Sequence, residues 1–296
     1  TSDNGETVTA SGTVDTSTIG TYTITYTATD AAGNTGTATR TVNVIVGNIS
    51  TTSPTYSYDY RVSGTSQTIY DSMGTGNKTS FVNTTFSIAN GAYFSQASNI
   101  STGSGAQATD AHGRIDHFTL TPSAFSIEVY FTVIKVSTWE RFFDFGNSAL
   151  NYNITIARPN TLNYPQLRFA HAGQYSLTQD ITSVSVTNNP LHIVLTFNGT
   201  NVTAYFNGTN KGSYNMTAAL SATVTRLWYI GRSTWPCPNI QGYFKFARFW
   251  NNHILTQTEV TELYNNRDNI LSFSRQSNLL NATRIGVGIN RPTDAN

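Results

Sequence analysis

Cysteine is almost absent from the sequence, since Cys237 is the one thiol in 296 residues. A single cysteine cannot form an internal disulfide bond, which excludes a small fold stabilised by several disulfide bonds. A chain of this length buries roughly 70–75% of its unfolded surface when it folds, so it does not require bridges for stability. The length corresponds to one large domain and a fraction of another.

Charged side chains are scarce as well. They make up 11% of the chain, against about 25% in an ordinary globular protein. The formal net charge is +1, and lysine and arginine do not cluster in the way that nucleic-acid binding requires. Thr, Ser, Asn and Gly take the place of charged residues, so we expect a polar, nearly uncharged surface and no nucleic-acid partner.

Long apolar runs are missing too. No run reaches the about 18 residues that identify a membrane-spanning helix, so we expect no membrane span. No signal peptide opens the sequence, which begins with Thr1-Ser2-Asp3. We therefore expect the chain to be a segment of a longer polypeptide.

The clearest pattern that is present is a period of two in residues 21–44. Within residues 21–28 the apolar side chains fall on even positions and threonine on odd positions, which places one face on a core and the other in water. The segment Asp30-Ala31-Ala32-Gly33-Asn34 supplies a turn, and alternation resumes from Thr35 to Val44. This pattern predicts a β-hairpin.

The hairpin region also resembles a known family. Three segments carry the resemblance: Val14–Tyr22, Tyr26–Asn34 and Thr39-Arg40-Thr41-Val42. Together they resemble the C-terminal part of a bacterial-type Ig-like repeat, which occurs in tandem as a spacer in surface proteins. The resemblance implies a partial Ig-like domain over residues 1–47, with a mechanical role and no catalytic residues.

The composition changes after the hairpin. Residues 48–57 are rich in Ser, Thr and Pro, which predicts a linker. From about residue 58 to residue 271 the pattern is one of many short strands broken by Gly, Asn and Asp turns. Regularly spaced strands without intervening helices predict a two-sheet sandwich rather than a parallel α/β sheet.

Individual strands and turns stand out in this region. Residues 125–131, 192–197 and 202–206 read as strands, and the Asn207-Gly208 dipeptide is a strong signal for a hairpin turn. One short helix is predicted from Thr256 to Asn265, because Thr256 and Glu259 have the spacing of a capping box.

Several segments of the middle region, taken in order, resemble the laminin-G-like members of the concanavalin A-like lectin/glucanase superfamily. They are Phe125–Phe131, Arg141–Asn147, His192–Gly208, Leu227–Ser233 with Phe244–Trp250, and Leu255–Tyr264. The resemblance implies a jelly-roll β-sandwich over residues 58–271. The whole fold is therefore expected to be all-β, an Ig-like sandwich fragment followed by a concanavalin A-like jelly roll.

The C-terminal segment 272–296 differs again. Residues 283–293 alternate glycine with other residues and resemble a segment of phage and large-virus fibre proteins. The resemblance implies a fibre-like extension that leads into an oligomeric module.

Catalysis requires acidic residues that the sequence does not offer. A retaining glycoside hydrolase needs two carboxylates about 5–5.5 Å apart, and Glu140 with Asp144 is the nearest fit. Arg141 and Lys135 lie close to them in sequence, which favours ion pairing instead. Many relatives have acidic residues near the strand at 242–248, whereas this chain has Gly-Tyr-Phe-Lys-Phe-Ala-Arg there. We expect no catalytic residues and no enzyme activity.

Metal binding has little support in the sequence, and we expect no cofactor. The histidines show no metal-ligand spacing; they are His112, His117, His171, His192 and His253. His192 stands where the family usually has histidine, and we expect it to pack and to bond a neighbouring loop. Calcium is the alternative, with loop oxygens of Asp110, Asp116 and Asp144 as candidate ligands, although turn roles are favoured for them.

Sugar binding is the sharper hypothesis, because glycan sites combine an aromatic platform with polar donors and acceptors. The candidate residues are Trp139, Arg141, Tyr175, Arg232, Trp235 and Asn239. The alternative for Trp139 and Trp235 is that they cover the rim of the core. Trp228 and Trp250 stand within apolar strands and are predicted to be buried.

Ten Asn-x-Ser/Thr sequons are candidate N-glycosylation sites, about as many as chance gives in a sequence so rich in Asn, Ser and Thr. They begin at Asn48, Asn77, Asn83, Asn99, Asn153, Asn198, Asn201, Asn207, Asn215 and Asn281.

The sequence therefore favours a non-catalytic, surface-exposed structural or glycan-binding protein. The composition and the tail favour a virion surface component, a minor capsid or fibre protein with a role in shell assembly or host attachment. A bacterial cell-surface adhesin is the alternative, and a glycoside hydrolase of the same fold comes third. The expected partners are glycans or a host-cell surface and other subunits of a larger assembly, in an extracellular or virion location.

Overall fold

Alternating apolar and polar side chains organise the chain into three β-sheets in the computed structural model. The structure describes residues 6–15, 20–44, 50–62, 68–95, 111–116, 123–135, 140–146, 153–158, 164–171, 174–182, 185, 188–215, 227–232, 239–269, 271 and 273. At residues 20, 43–44, 169–171, 174–178 and 227 only the backbone is described.

The described strands and helix run in the following order. They are β1 (Val8–Ser11), β2 (Gly20–Thr29), β3 (Thr35–Val44), β4 (Tyr56–Asp59), β5 (Thr68–Tyr70), β6 (Lys78–Val82), β7 (Thr84–Ser87), β8 (Gly91–Phe94), β9 (His112–Ile115), β10 (Phe125–Lys135), β11 (Arg141–Gly146), β12 (Asn153–Ala157), β13 (Gln166–His171), β14 (Gln174–Asp180), β15 (Pro190–Phe197), β16 (Asn201–Phe206), β17 (Thr209–Asn215), β18 (Leu227–Ile230), β19 (Gln241–Asn251) and α1 (Gln257–Asn265).

The first sheet confirms the predicted hairpin. It has the order β1-β2-β3, and β2 and β3 pair antiparallel along their full length, with Tyr26 opposite Ala38. The turn is held by Asp30, whose carboxylate accepts hydrogen bonds from the backbone N–H groups of Ala32 and Asn34 at 2.9 and 2.8 Å. A short acidic side chain that bonds its own downstream backbone is a standard way to close such a turn.

The other two sheets form the predicted sandwich. Sheet 2 has the order β17-β16-β15-β10-β19-β8-β7, with β4 also paired to β19. Sheet 3 has the order β14-β13-β12-β11-β18-β9-β6-β5. Strands that are neighbours in space are therefore often distant in sequence, as with β10 and β19 or β11 and β18.

The main core lies between sheets 2 and 3 and is rich in aromatic rings. Phe131 of β10 approaches Phe142 of β11 with ring centroids 5.1 Å apart, and Phe145 lies 5.4 Å from Phe249 of β19. Such edge and tilted contacts add to the free energy gained by burying the rings. Trp228 is completely buried here, as predicted.

A second, smaller core covers the outer face of sheet 2. Its buried members are Val194, Tyr205, Trp250, Leu255, Val260, Leu263 and Leu271. Val260 and Leu263 stand three residues apart on α1, so they share the helix face that packs on the sheet. The predicted capping box is confirmed, with Thr256 and Glu259 exchanging hydrogen bonds at the start of α1.

Part of the predicted linker 48–57 is ordered against the sandwich. Strand β4 begins at Tyr56 and pairs with β19. The carboxylate of Glu262 on α1 accepts the backbone N–H groups of both Ser50 and Thr51 at 2.7 Å. The hydroxyls of Ser50 and Thr51 also donate hydrogen bonds to this carboxylate. A composition rich in Ser, Thr and Pro does not show whether a segment is a free linker or is bonded to a domain in this way.

The C-terminal extension 272–296 is described only at Phe273, which packs against the second core. The fibre-like segment 283–293 and the predicted oligomeric contacts lie outside the described residues. Within the described part, no helix is both long enough and apolar enough to cross a membrane.

Candidate functional site

A row of side chains crosses the outer face of sheet 3 at right angles to the strands. Asp144 of β11 is opposite Tyr229 of β18 on one side and Thr155 of β12 on the other. Arg168 of β13 and Arg114 of β9 extend the row in the two directions. Their neighbours along each strand belong to the main core, so these five side chains lie on the face directed away from it.

The β18 side of this row is open to solvent and carries positive charge. Arg114 is exposed and Tyr229 is partly buried. The guanidinium of Arg232, just after β18, lies 5.4 Å from the centroid of the Tyr229 ring, and the ring of His112 lies 5.7 Å from it. A cation held near an aromatic face at this distance is attracted by the ring. We call Arg114, Tyr229 and Arg232 the arginine–tyrosine group.

Three of the six predicted sugar-binding residues, Arg141, Arg232 and Asn239, are brought together here, and Arg232 is itself a member of this group. Arg141 and Asn239 form a parallel β-bridge, and Arg232 is held nearby because Gly231 and Ile240 are hydrogen bonded at 3.1 Å. Arg141 and Asn239 are only 2% and 0% exposed. Arg232 is partly exposed, so it is the member of the three that can contact a ligand.

The remaining predicted sugar-binding residues are not brought into this group. Tyr175 lies on the edge strand β14, three strands from β11 and therefore about 14 Å away, and its side chain is not described. Trp139 and Trp235 lie outside the described residues, so their predicted role as a sugar platform stays a prediction. Trp250 is 1% exposed and buried as predicted, although in the second core.

The two carboxylates considered for catalysis are both fully buried and bonded. Glu140 forms an ion pair with Arg158 at 3.1 Å, a partner that its sequence neighbours did not indicate. Asp144 accepts a hydrogen bond of 2.6 Å from the side-chain amide of Asn153. Each carboxylate thus has its own structural partner, whereas a nucleophile and a general acid need access to a substrate.

The predicted calcium ligands do not come together in the described part of the chain. Asp116 accepts a hydrogen bond from the backbone N–H of Lys78 at 3.2 Å, Asp144 is buried next to Asn153, and Asp110 lies outside the described residues. Among the described residues no group of three or more His, Cys, Asp or Glu is placed to hold a metal. Calcium binding stays a prediction.

Sheet 2 contains a buried ionic cluster that the sequence analysis did not predict. Glu128 of β10 contacts the His192 ring at 2.7 Å and the Arg248 guanidinium at 3.0 Å, and all three are at most 1% exposed. Burial alone would raise the pKa of Glu128, but the charge of Arg248 and the hydrogen bond from His192 outweigh burial and lower it. The ring of His192 thus bonds a neighbouring strand, while its backbone N–H bonds the Asn207 side chain in a turn.

The candidate glycosylation sites differ in exposure. Asn153 is only 2% exposed, and Asn77, Asn201 and Asn207 are partly buried. Exposed positions are found at Asn83, Asn198 and Asn215. Asn48, Asn99 and Asn281 lie outside the described residues.

Comparisons with known families agree with this architecture. Residues 104–261, slightly more than half of the chain, match the concanavalin A-like lectin/glucanases superfamily. The chain belongs to this superfamily. Residues 1–44 match the Ig-like domain of bacterial surface proteins, which confirms the resemblance seen in the hairpin. No curated protein sequence matches the chain.

Solved structures share the fold at low sequence identity. Domain 4 of AbnA, a GH43 extracellular arabinanase from Geobacillus stearothermophilus in complex with arabinotriose, has a TM-score of 0.52 at 17% identity, over 72% of this chain and 98% of that one. Trypanosoma rangeli sialidase in complex with sialic acid has a TM-score of 0.52 at 9% identity, over 88% of this chain and 44% of that one.

A toxin domain shares the fold at similarly low sequence identity. The ligand-binding domain of botulinum neurotoxin serotype D, in complex with N-acetylneuraminic acid, has a TM-score of 0.51 at 12% identity, over 73% of this chain and 51% of that one. The chain thus spans about half or less of the sialidase and toxin chains. These likenesses establish the sandwich fold, which is shared by carbohydrate-binding domains, glycosidases and toxin receptor-binding domains.

Proposed function

We propose that the chain is a non-catalytic, surface-exposed module that binds glycans through the outer face of sheet 3. The observation that carries this proposal is the contrast between the two outer faces of the sandwich. The outer face of sheet 2 is closed at its centre by α1 and the second core. On sheet 3 the β11–β12 part of the outer face is buried, whereas the β9–β18 part presents Arg114, Tyr229 and Arg232. Tyrosine and arginine are among the residue types enriched at the centres of binding interfaces.

The chemistry of this group suits a sugar. The apolar face of the Tyr229 ring can stack on the C–H surface of a pyranose. A guanidinium offers several N–H donors in a fixed fork, which match adjacent hydroxyl or carboxylate oxygens. Arg232 is already held beside the ring, so little side-chain entropy is lost when a ligand binds.

The absence of enzyme activity is part of the proposal. Glu140 and Asp144 are each bonded to a structural partner and are fully buried. Neither has the free, solvent-facing position that a glycosidase acid or nucleophile occupies. The arabinanase and sialidase that share the fold therefore support carbohydrate recognition rather than hydrolysis here.

The setting that we propose is a bacterial cell surface. The Ig-like match at residues 1–44 to bacterial surface proteins favours a spacer that carries the sandwich outward, and glycan recognition would then give an adhesin. The virion surface role that the tail suggested stays an alternative prediction.

A glycan array tests the proposal with matched variants. The protein should bind a defined set of glycans saturably, and Arg114→Ala or Tyr229→Ala should weaken binding by about tenfold or more, since charge-assisted bonds and ring stacking are lost. Arg40→Ala removes the same charge from an exposed position on β3 and should leave binding unchanged. Because Arg114 is exposed, its removal should barely alter folding stability.

Two outcomes would contradict the proposal. One is an array on which the folded protein binds no glycan, or binds equally with and without Arg114 and Tyr229. The other is hydrolysis of a bound polysaccharide that disappears in Glu140→Gln, which would restore the glycoside hydrolase alternative.

A further inference from the structure

A separate cleft of about 400 Å³ opens on the sheet 2 side of the sandwich, beside the C-terminal end of α1. Its lining comes from the β15–β16–β17 hairpins and from the helix, and it includes Asn189, Asn207, Thr209, Lys211, Tyr264 and Arg267. Ligand clefts in proteins commonly measure about 300–1,000 Å³. The volume therefore suits a sugar of one or two rings.

The walls of the cleft are held in place by bonds between the hairpin and the helix. Gln257 of α1 donates a hydrogen bond of 2.8 Å to the carbonyl oxygen of Gly208. Gly208 has a φ of +76°, and a Cβ there would come within 2.9 Å of the Tyr264 ring, so the turn packs directly on that ring. Asn207 is fixed to His192 by two hydrogen bonds, of 2.8 and 2.9 Å. The Asn207 side chain and the wall formed by the Tyr264 ring are thus held in place.

The cleft carries two cations and, among its described lining residues, no acid. The guanidinium of Arg267 lies 4.1 Å from the centroid of the Tyr264 ring and donates to the Tyr264 carbonyl oxygen at 2.7 Å. The Asp268 carboxylate lies 3.6 Å from Arg267 Nε, but its other oxygen is bound by Lys245 Nζ at 2.9 Å, so this one negative charge is shared between two cations. Within the described part of the chain, the ammonium of Lys211 has no hydrogen-bond or ion-pair partner, so the cleft has an excess of positive charge.

We infer that this cleft binds an anionic saccharide, with its carboxylate or sulfate group between Lys211 and Arg267. The side chains of Asn189, Asn207 and Thr209 supply amide and hydroxyl groups for the sugar hydroxyls. A neutral sugar would leave Lys211 without a counter-charge and Arg267 with only the Asp268 carboxylate that it shares with Lys245, whereas charge-assisted bonds to an anion are about twice as strong as neutral ones. This site is independent of the arginine–tyrosine group on sheet 3.

Isothermal titration with a matched ligand series tests the inference. Lactose, sialyllactose and sulfolactose share the same lactose core. Lactose is neutral, sialyllactose adds a carboxylate and sulfolactose adds a sulfate. Both anionic ligands should bind at least about tenfold more tightly than lactose, and their affinity should fall as salt is added. The tighter of the two identifies whether a carboxylate or a sulfate is preferred.

Variants assign the binding to this cleft. Lys211→Ala should remove most of the advantage of the anionic ligands, and Arg267→Gln should do the same if its thermal unfolding shows an intact fold. Lys135→Ala removes the same charge from an exposed strand end and should bind like the unmodified chain. Each of these variants is also made in an Arg114→Ala background, in which the sheet 3 group is impaired, so that the anion binding measured there comes from this cleft and the inference is separated from the sheet 3 proposal. Equal affinity for lactose and the anionic ligands, or anion binding that persists in Lys211→Ala, would overturn the inference.

Discussion

Glu128 and His192 lie on adjacent strands, with Glu128 Oε1 and His192 Nε2 2.7 Å apart and both side chains completely buried. The other carboxylate oxygen of Glu128 contacts Arg248 on the strand at its opposite side. The three strands β15, β10 and β19 at the centre of sheet 2 are therefore joined by one carboxylate. The second core above them excludes water, which makes this carboxylate important for stability.

Replacing Glu128 by Gln should destabilise the protein strongly. The substitution leaves the Arg248 charge buried without a counter-charge, and breaking a buried pair in this way costs about 3–5 kcal/mol. Urea unfolding measures the loss. The double variant Glu128→Gln/Arg248→Met should recover much of it, because the uncompensated charge is then gone. A loss below about 1 kcal/mol for the single variant would show that the cluster is not a structural element.

Stability should fall in mild acid because of the same carboxylate. The pKa of Glu128 is lower in the folded protein than its ordinary value of 4.5. Its contribution is therefore complete above pH 4.5 and is lost as the pH falls through the lower folded value. The free energy of unfolding, measured from pH 6 downward by about half-unit steps, should decline below about pH 4.5. A Glu128→Gln variant should show a shallower decline, and identical slopes would contradict this assignment.

The junction between the hairpin and the sandwich should depend on Glu262. Its carboxylate accepts two backbone N–H groups and the hydroxyl of Thr51. Glu262→Ala should therefore raise amide hydrogen exchange at Ser50 and Thr51, while the exchange of the main core stays unchanged. Asn265→Ala, an exposed substitution on the same helix, should leave the junction protected. Unchanged exchange in Glu262→Ala would show that other contacts hold this segment.

Exposure should decide which sequons accept glycans in a eukaryotic secretory host. Asn153 is buried, and its side-chain amide N–H donates a hydrogen bond to the Asp144 carboxylate, so the folded chain cannot carry a sugar there. Asn83, Asn198 and Asn215 are exposed and are the expected sites among the described residues. Mass spectrometry of tryptic glycopeptides measures the occupancy of each position. A glycan on Asn153 in correctly folded protein would contradict the placement of β12.

The strands, turns and helix could be predicted because they depend on local signals. The alternation in residues 21–44, the Asn207-Gly208 turn and the Thr256–Glu259 capping box each lie within a short stretch of sequence. The families of the hairpin and of the sandwich could also be recognised, because each is carried by several short segments that follow one another in the order typical of the family, and both are confirmed.

The arrangement of the site could not be predicted because it depends on strand order. Arg114, Asp144 and Tyr229 are far apart in sequence and become neighbours only because β9, β18 and β11 are adjacent in sheet 3. The partner of Glu140 was missed for the same reason, since Arg158 reaches it from the end of β12. Glu128 carried a visible signal, an acid within an otherwise apolar alternating strand, but its partners came from distant strands.

The most direct test of the account is a crystal structure of the chain with the glycan that binds most tightly on the array. The account predicts that a sugar ring stacks on Tyr229, within about 4 Å, and that Arg114 or Arg232 donates hydrogen bonds to it. A glycan bound away from the outer face of sheet 3, or one held between two accessible carboxylates, would contradict it.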